Sequence, residues 1–178
     1  MPRSRYRIFE TEYPYYCTCT IVAWMPVFIH PWAVDIVYKS WRYLKQHAQL
    51  KLFGYVIMEN HLHCIVQAPN LSETLRRFKT FTARQILDGF QQRGHDTMLQ
   101  ELKFYKAAHK VDQEFGFWQD ASHPKQISHD EMMLQKLDYM HNNPLRRGYV
   151  SDPLHWRYSS ASNYYGQSSL IEVITDWK

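Results

Sequence analysis

Residues 55–66, Tyr-Val-Ile-Met-Glu-Asn-His-Leu-His-Cys-Ile-Val, leave the chain few options. Two apolar segments flank the polar pair Glu59-Asn60, which predicts a β-hairpin with His61 and His63 at the start of its second strand. Side chains alternate faces along a strand, so the two histidines share one face while Leu62 and Cys64 take the other. Two imidazoles at this spacing can share one divalent metal ion. They are equally compatible with a solvated polar face, so the rest of the chain has to decide between the two readings.

A chain of 178 residues with 45% hydrophobic and 16% aromatic side chains suits one folded domain with an appended segment. Thirteen tyrosines and six tryptophans exceed what such a core can hide, so some rings are expected at the surface, against a partner or stacked on bases. The net charge of +4 leans towards an anionic partner. Cys17, Cys19 and Cys64 have no disulfide-framework spacing, and no apolar run has the length of a signal peptide or a membrane span. A cytoplasmic protein with no membrane partner is the expectation.

Residues 1–14 form a lead-in containing Arg3, Arg5 and Arg7. A first strand is predicted over 15–22, then an aromatic loop, then a helix from Pro31 to His47 with apolar positions at Val34, Val37, Tyr38, Trp41 and Leu44. The hairpin strands span 51–58 and 61–68. A second helix runs from Ser72 to about Gly89 through Leu75, Phe78, Thr82 and Ile86. Residues 90–116 read as a loop with a short helix near 97–104, and a last strand is bracketed by 117–119 and 124–127. A third helix spans 128–143, ended by Pro144. This order predicts an α+β fold: a ferredoxin-like or RRM-like four-stranded antiparallel sheet with helices on one face, plus an extra C-terminal helix. Residues 1–148 make one domain, and 149–178 an aromatic tail packed on it.

On the third helix Tyr139 and Asn143 stand four residues apart, on one face. Joined to His61 and His63, Asn143 offers an oxygen as third metal ligand and Tyr139 a nucleophile one turn away. Two imidazoles and an amide, without thiolate, suit Mg²⁺ or Mn²⁺. The phenol must lose its proton, and His63, His141 and water are the candidate acceptors. A competing metal reading places Cys17 and Cys19 with His61 and His63 in a closed zinc site. The second helix carries Arg76, Arg77, Lys79, Thr80 and Arg84 against a lone Glu73, beside the histidine strand, and reads as a phosphate-binding face continued by Arg146 and Arg147.

Residues 58–63, Met-Glu-Asn-His-Leu-His, followed by 138–148, Asp-Tyr-Met-His-Asn-Asn-Pro-Leu-Arg-Arg-Gly, resemble the single-tyrosine HUH transposases, in particular their REP-associated branch. Segments 25–28, 79–84, 117–119 and 156–160 extend the resemblance over nearly the whole chain. It implies an enzyme that cleaves and rejoins single-stranded DNA beside an imperfect hairpin. Tyr139 would attack the scissile phosphate, leaving a 5′-phosphotyrosine and a free 3′-hydroxyl, and His61, His63 and Asn143 would hold the metal. The wider family often carries Gln where this chain has Asn143; Asn also occurs in the REP-associated branch. A homodimer is possible, with the tyrosine helix docked in trans or in cis. The alternative is a non-catalytic RRM-like module that binds a nucleic-acid hairpin without cutting it.

Overall fold

The computed structural model describes residues 8, 10–106, 114–120 and 124–177. Arg3, Arg5 and Arg7, which the sequence offers as an extension of the basic track, lie outside them. Four strands, β1 (Tyr15–Thr20), β2 (Lys51–Ile57), β3 (His61–Gln67) and β4 (Lys125–Gln126), form one antiparallel sheet in the order β2-β3-β1-β4. That is the order expected of a ferredoxin-like sheet. Helices α1 (Pro31–His47) and α2 (Leu71–Gln92) pack together on one face. The core there joins Cys17, Cys19, Leu62, Cys64, Val37, Trp41, Phe78 and Ile86. Helix α4 (Asp130–His141) covers the other face, where Met133, Leu137 and Met140 meet Tyr16, Phe53, Val56 and Ile65. Between them α3 (Asp96–Phe104) follows α2, and α5 (Asn143–Arg146) is a single turn after α4.

Sequence patterning and structure part at instructive places. Gly89 does not end α2: a Cβ there would lie 2.5 Å from Trp32 Cζ3, so this glycine is what lets the helix pass close to α1's first tryptophan. Helix α2 continues to Gln92, and residue 94, at φ +67°, takes the left-handed conformation that suits glycine. The third predicted helix starts two residues late, because His129 adopts extended backbone and its ring accepts a hydrogen bond from Met132 N. Helix α4 ends at His141, two residues before the expected end, and Pro144 stands in the first turn of α5, where its missing N–H is harmless. The last strand has only two residues, and Trp118 makes a separate bridge to Ile21.

Two features hold α4 where it lies. A register shift between Leu52 and Gly54 turns Gly54 towards α4, where a Cβ would approach Leu137 Cδ2 and Met140 Cε to 2.7 Å. Glycine within a strand marks such bulges and close approaches. The tail then closes the outer edge of β2: Ile57 N donates to Tyr158 O, Ser160 N to Tyr55 O, and Ile174 N to Leu52 O. An edge strand left open would be a template for wrong pairing, and here its backbone groups are taken up. Gly54→Val is therefore expected to destabilise the protein by about 1–3 kcal/mol through overpacking. A lower urea midpoint than that of the parent protein checks this, and an unchanged midpoint contradicts the tight α4–sheet contact.

Candidate active site

The register of β1 against β3 builds the site. Thr18 pairs with His63 and Thr20 with His61, so both imidazoles and both threonines face α4, while Cys17 and Cys19, opposite Cys64 and Leu62, face α1 and α2. The cysteines and histidines thus lie on opposite sides of the sheet, and the closed zinc site is overturned. Among the described residues no group of three His, Cys, Asp or Glu side chains is placed to hold a metal ion.

Both imidazoles are held by one nitrogen. His61 Nδ1 lies 2.7 Å from Asn60 Oδ1, and His63 Nδ1 lies 2.9 Å from Thr18 Oγ1. With Nδ1–H donated to these oxygens, each ring presents Nε2 as a lone pair, the usual way a ligating histidine is oriented. The hairpin turn is itself fixed, because Ile21 N donates to Asn60 O and Phe28 N to Glu59 O. Burial and the Arg147 guanidinium push the His61 pKa down to about 4; burial, then His61, Lys136 and Arg147, push that of His63 down to about 3. Both rings are neutral at physiological pH. A nitrogen ligand has to be neutral to bind a metal.

Tyr139 lies across this pair, its ring centroid 5.9 Å from that of His63 and the planes at 72°. The two histidine rings are 4.9 Å apart. Tyr139, Asn143, Arg146, Arg147, His61, His63, Thr18 and Trp24 line a pocket of about 390 Å³. Asn142, at φ −83° and ψ −1°, keeps the helical direction between α4 and α5, so Tyr139 and Asn143 stay one turn apart although two helices carry them. Asn143 is buried, and its carboxamide makes no hydrogen bond among the described residues. Tyr139 is 44% exposed, so the phenol is open to a ligand. Arg146 stacks its guanidinium 5.0 Å over the Tyr139 ring, and Arg147 pairs with Glu59 at 2.9 Å. That ion pair ties the tyrosine segment to the hairpin turn of the same chain.

Two assignments made from sequence change. His141, a candidate proton acceptor, is buried, with Nε2 2.9 Å from Ser160 Oγ in the tail, and does not line the pocket. Helix α2 was placed beside the histidine strand, but it packs on the opposite sheet face, so Arg76, Arg77, Lys79, Thr80 and Arg84 stay outside the pocket. There Arg76 is chelated by Glu73, and Arg77 lies over Tyr43. Arg76, Thr80 and Arg84 border two surface grooves of about 720 and 730 Å³. Lys79 Nζ donates to Gln119 O, and Gln119 N donates to the carbonyl of Thr20, the strand partner of His61. The basic helix therefore reaches the histidine end of the sheet around its edge. Sequence reasoning missed Thr18, whose role follows only from strand pairing, and Asn60, which it read only as a turn residue, and it read Trp24 merely as part of a loop.

Acid should loosen this arrangement. Burial also pushes the His141 pKa down to about 4. Between pH 6.5 and about 4 the unfolded chain binds protons that folded His61, His63 and His141 refuse, so their contribution is complete above 6.5 and is lost as pH falls through that window. The unfolding free energy of the metal-free protein, measured in urea, should fall from pH 7 to pH 5 by on the order of 1 kcal/mol per histidine. His141→Gln should make that fall shallower; an identical pH dependence contradicts the buried neutral ring.

Three comparisons bear on this geometry. The family model described as "Transposase IS200 like" matches residues 25–114, just over half of the chain, including the histidine hairpin and α2. A REP-associated tyrosine transposase of Haemophilus influenzae is 28% identical over 119 residues, 65% of this chain. The chain spans 61% of that curated relative's length in the match. A solved structure of a REP-associated tyrosine transposase bound to a REP hairpin superposes with a TM-score of 0.67 at 16% identity, covering 99% of this chain and 92% of the other, which is likeness of fold.

Proposed function

The chain belongs to the IS200-like transposase family, and from that premise we propose that it is a metal-dependent single-stranded DNA endonuclease and strand transferase acting beside a DNA hairpin. One observation carries the reading: a half-exposed phenol lies in one pocket with two neutral, pre-oriented imidazoles and a carboxamide without a hydrogen-bond partner. The donor set fits a hard or borderline divalent ion, with His61 Nε2, His63 Nε2 and the Asn143 amide oxygen holding Mg²⁺ or Mn²⁺. When bound, such an ion offsets the negative charge of a phosphodiester and fixes the line of attack.

The chain's own groups then do the following. Tyr139 Oη attacks phosphorus, forming a P–O bond to tyrosine as the bond to the 3′-oxygen breaks. The products are a 5′-phosphotyrosine and a DNA 3′-hydroxyl; attack by a 3′-hydroxyl on the phosphotyrosine rejoins DNA and returns the phenol. The phenolic proton passes to water, because no carboxylate lines the pocket among the described residues and the Nε2 lone pairs of both histidines are the donors that would hold the ion. Arg146, over the ring, brings its charge beside the incoming phosphate and then the phosphotyrosine. Tyr139 reaches the histidines of its own chain, which supports cleavage in cis. The α2 cations Arg76, Arg77, Lys79 and Arg84, with Thr80, would meet the phosphates of the hairpin stem; Arg147 shares its charge between Glu59 and the scissile strand.

The experiment uses a pool of hairpin oligonucleotides with randomised single-stranded flanks, incubated with Mg²⁺ or Mn²⁺ and resolved on a denaturing gel. The expected result is a covalent protein–DNA adduct that chelator removes and Tyr139→Phe abolishes, with hairpin binding unchanged. Binding without any adduct identifies the hairpin-binding module instead.

A further inference from the structure

Trp24 stands out of the core that its neighbours enter. Its neighbours Ile21, Val22 and Met25 are buried, whereas Trp24 is 55% exposed and its indole N–H makes no hydrogen bond among the described residues. Its backbone is left-handed, φ +56°, and so is that of Ala23, φ +52°. Consecutive non-glycine residues in this region cost energy, of order 1–3 kcal/mol each, and persist only where their surroundings impose them. Those surroundings are visible: Ile21 N donates to Asn60 O, Val22 N to Phe117 O, and the turn closes through Trp24 N to Ile21 O and Met25 N to Val22 O. The strained turn is bolted to the histidine hairpin on one side and to the 117–119 segment on the other.

The result of that strain is the position of one ring. The indole stands at the rim of the pocket that holds Tyr139 and Asn143, packed edge-on against His61 with centroids 5.9 Å apart and planes at 74°. A T-shaped contact engages at most one broad face of the indole and leaves the other clear of the imidazole. Arg146 and Arg147 line the same pocket. A flat aromatic face beside phosphate-binding cations is the arrangement that takes an unpaired nucleotide, its base stacked and its backbone neutralised.

We propose that Trp24 is a base-stacking platform, held by its strained turn at the rim of the pocket, that seats the unpaired base next to the scissile phosphate and so positions that phosphate against Tyr139. This rests on the single-stranded DNA reading above, but not on cleavage itself. Trp24 is a positioning residue, and the stack is tolerant of base identity, because every base offers a π-face.

The test compares two probes, a fluorescent oligothymidylate and the same backbone built from tetrahydrofuran abasic units, on full-length Tyr139→Phe protein with and without Trp24→Ala. Fluorescence anisotropy should show Trp24→Ala weakening oligothymidylate binding about five- to hundredfold while leaving the abasic strand within about twofold, and Trp24→Phe retaining most of the affinity. An equal loss on both probes, or none on either, overturns the platform. Adduct formation by protein with Tyr139 intact is read separately with Trp24 present. Adduct without base-dependent loss removes only the role of Trp24; base-dependent loss without adduct keeps the platform and removes the cleavage reading.

Discussion

The pairing of Thr18 with His63 decides what this molecule can do. Because strand side chains alternate, that single register puts both histidines on the face covered by α4 and sends all three cysteines into the core beneath α1 and α2. A slip of one residue in β1 would bring Cys17 or Cys19 to the face of the imidazoles and set thiols where the threonines now stand. The same register supplies Thr18 as the hydrogen-bond partner that turns His63 Nε2 into the pocket. Fold and site are therefore fixed by one set of backbone hydrogen bonds.

On this frame the tyrosine is set by packing. Helix α4 settles closely on the sheet because Gly54 gives room to Leu137 and Met140, and the Arg147–Glu59 pair fastens the following turn to the hairpin. The tail occupies the outer edge of β2 and pins α4 from behind through Ser160 and His141, yet contributes no side chain to the pocket among the described residues. The phenol thus reaches the histidines of its own chain without being buried. A nucleophile needs that combination of fixed direction and open approach.

Much of this was legible in the sequence, and the illegible parts have common causes. His61 and His63 could be placed on one face because a strand has period two. Tyr139 and Asn143 could be placed one turn apart, even though α4 ends at His141 and α5 begins at Asn143, because Asn142 keeps helical geometry between them. Apolar periodicity shows which side of α2 is buried but not which face of the sheet it covers, so the basic helix was placed beside the histidines when it lies behind them. Gly54 falls inside the predicted strand 51–58, and its bulge is invisible there because a bulge depends on the partner strand. Trp24 looked like a loop aromatic because left-handed backbone at Ala-Trp has no sequence signature. His141, two residues from Tyr139, is a candidate base by sequence; helical geometry turns it towards Ser160.

Family membership and geometry meet at different ends of the chain, since the family match covers residues 25–114 and stops before the tyrosine helix. The link between the two is the pocket itself, and its donor atoms are its sharpest commitment. Crystals soaked in Mn²⁺ and measured for anomalous scattering test it most directly. The account predicts one ion bound by His61 Nε2, His63 Nε2 and the Asn143 amide oxygen, on the side of the pocket that Tyr139 faces. An ion held elsewhere, or none at the histidines in well-ordered crystals at neutral pH, would contradict it.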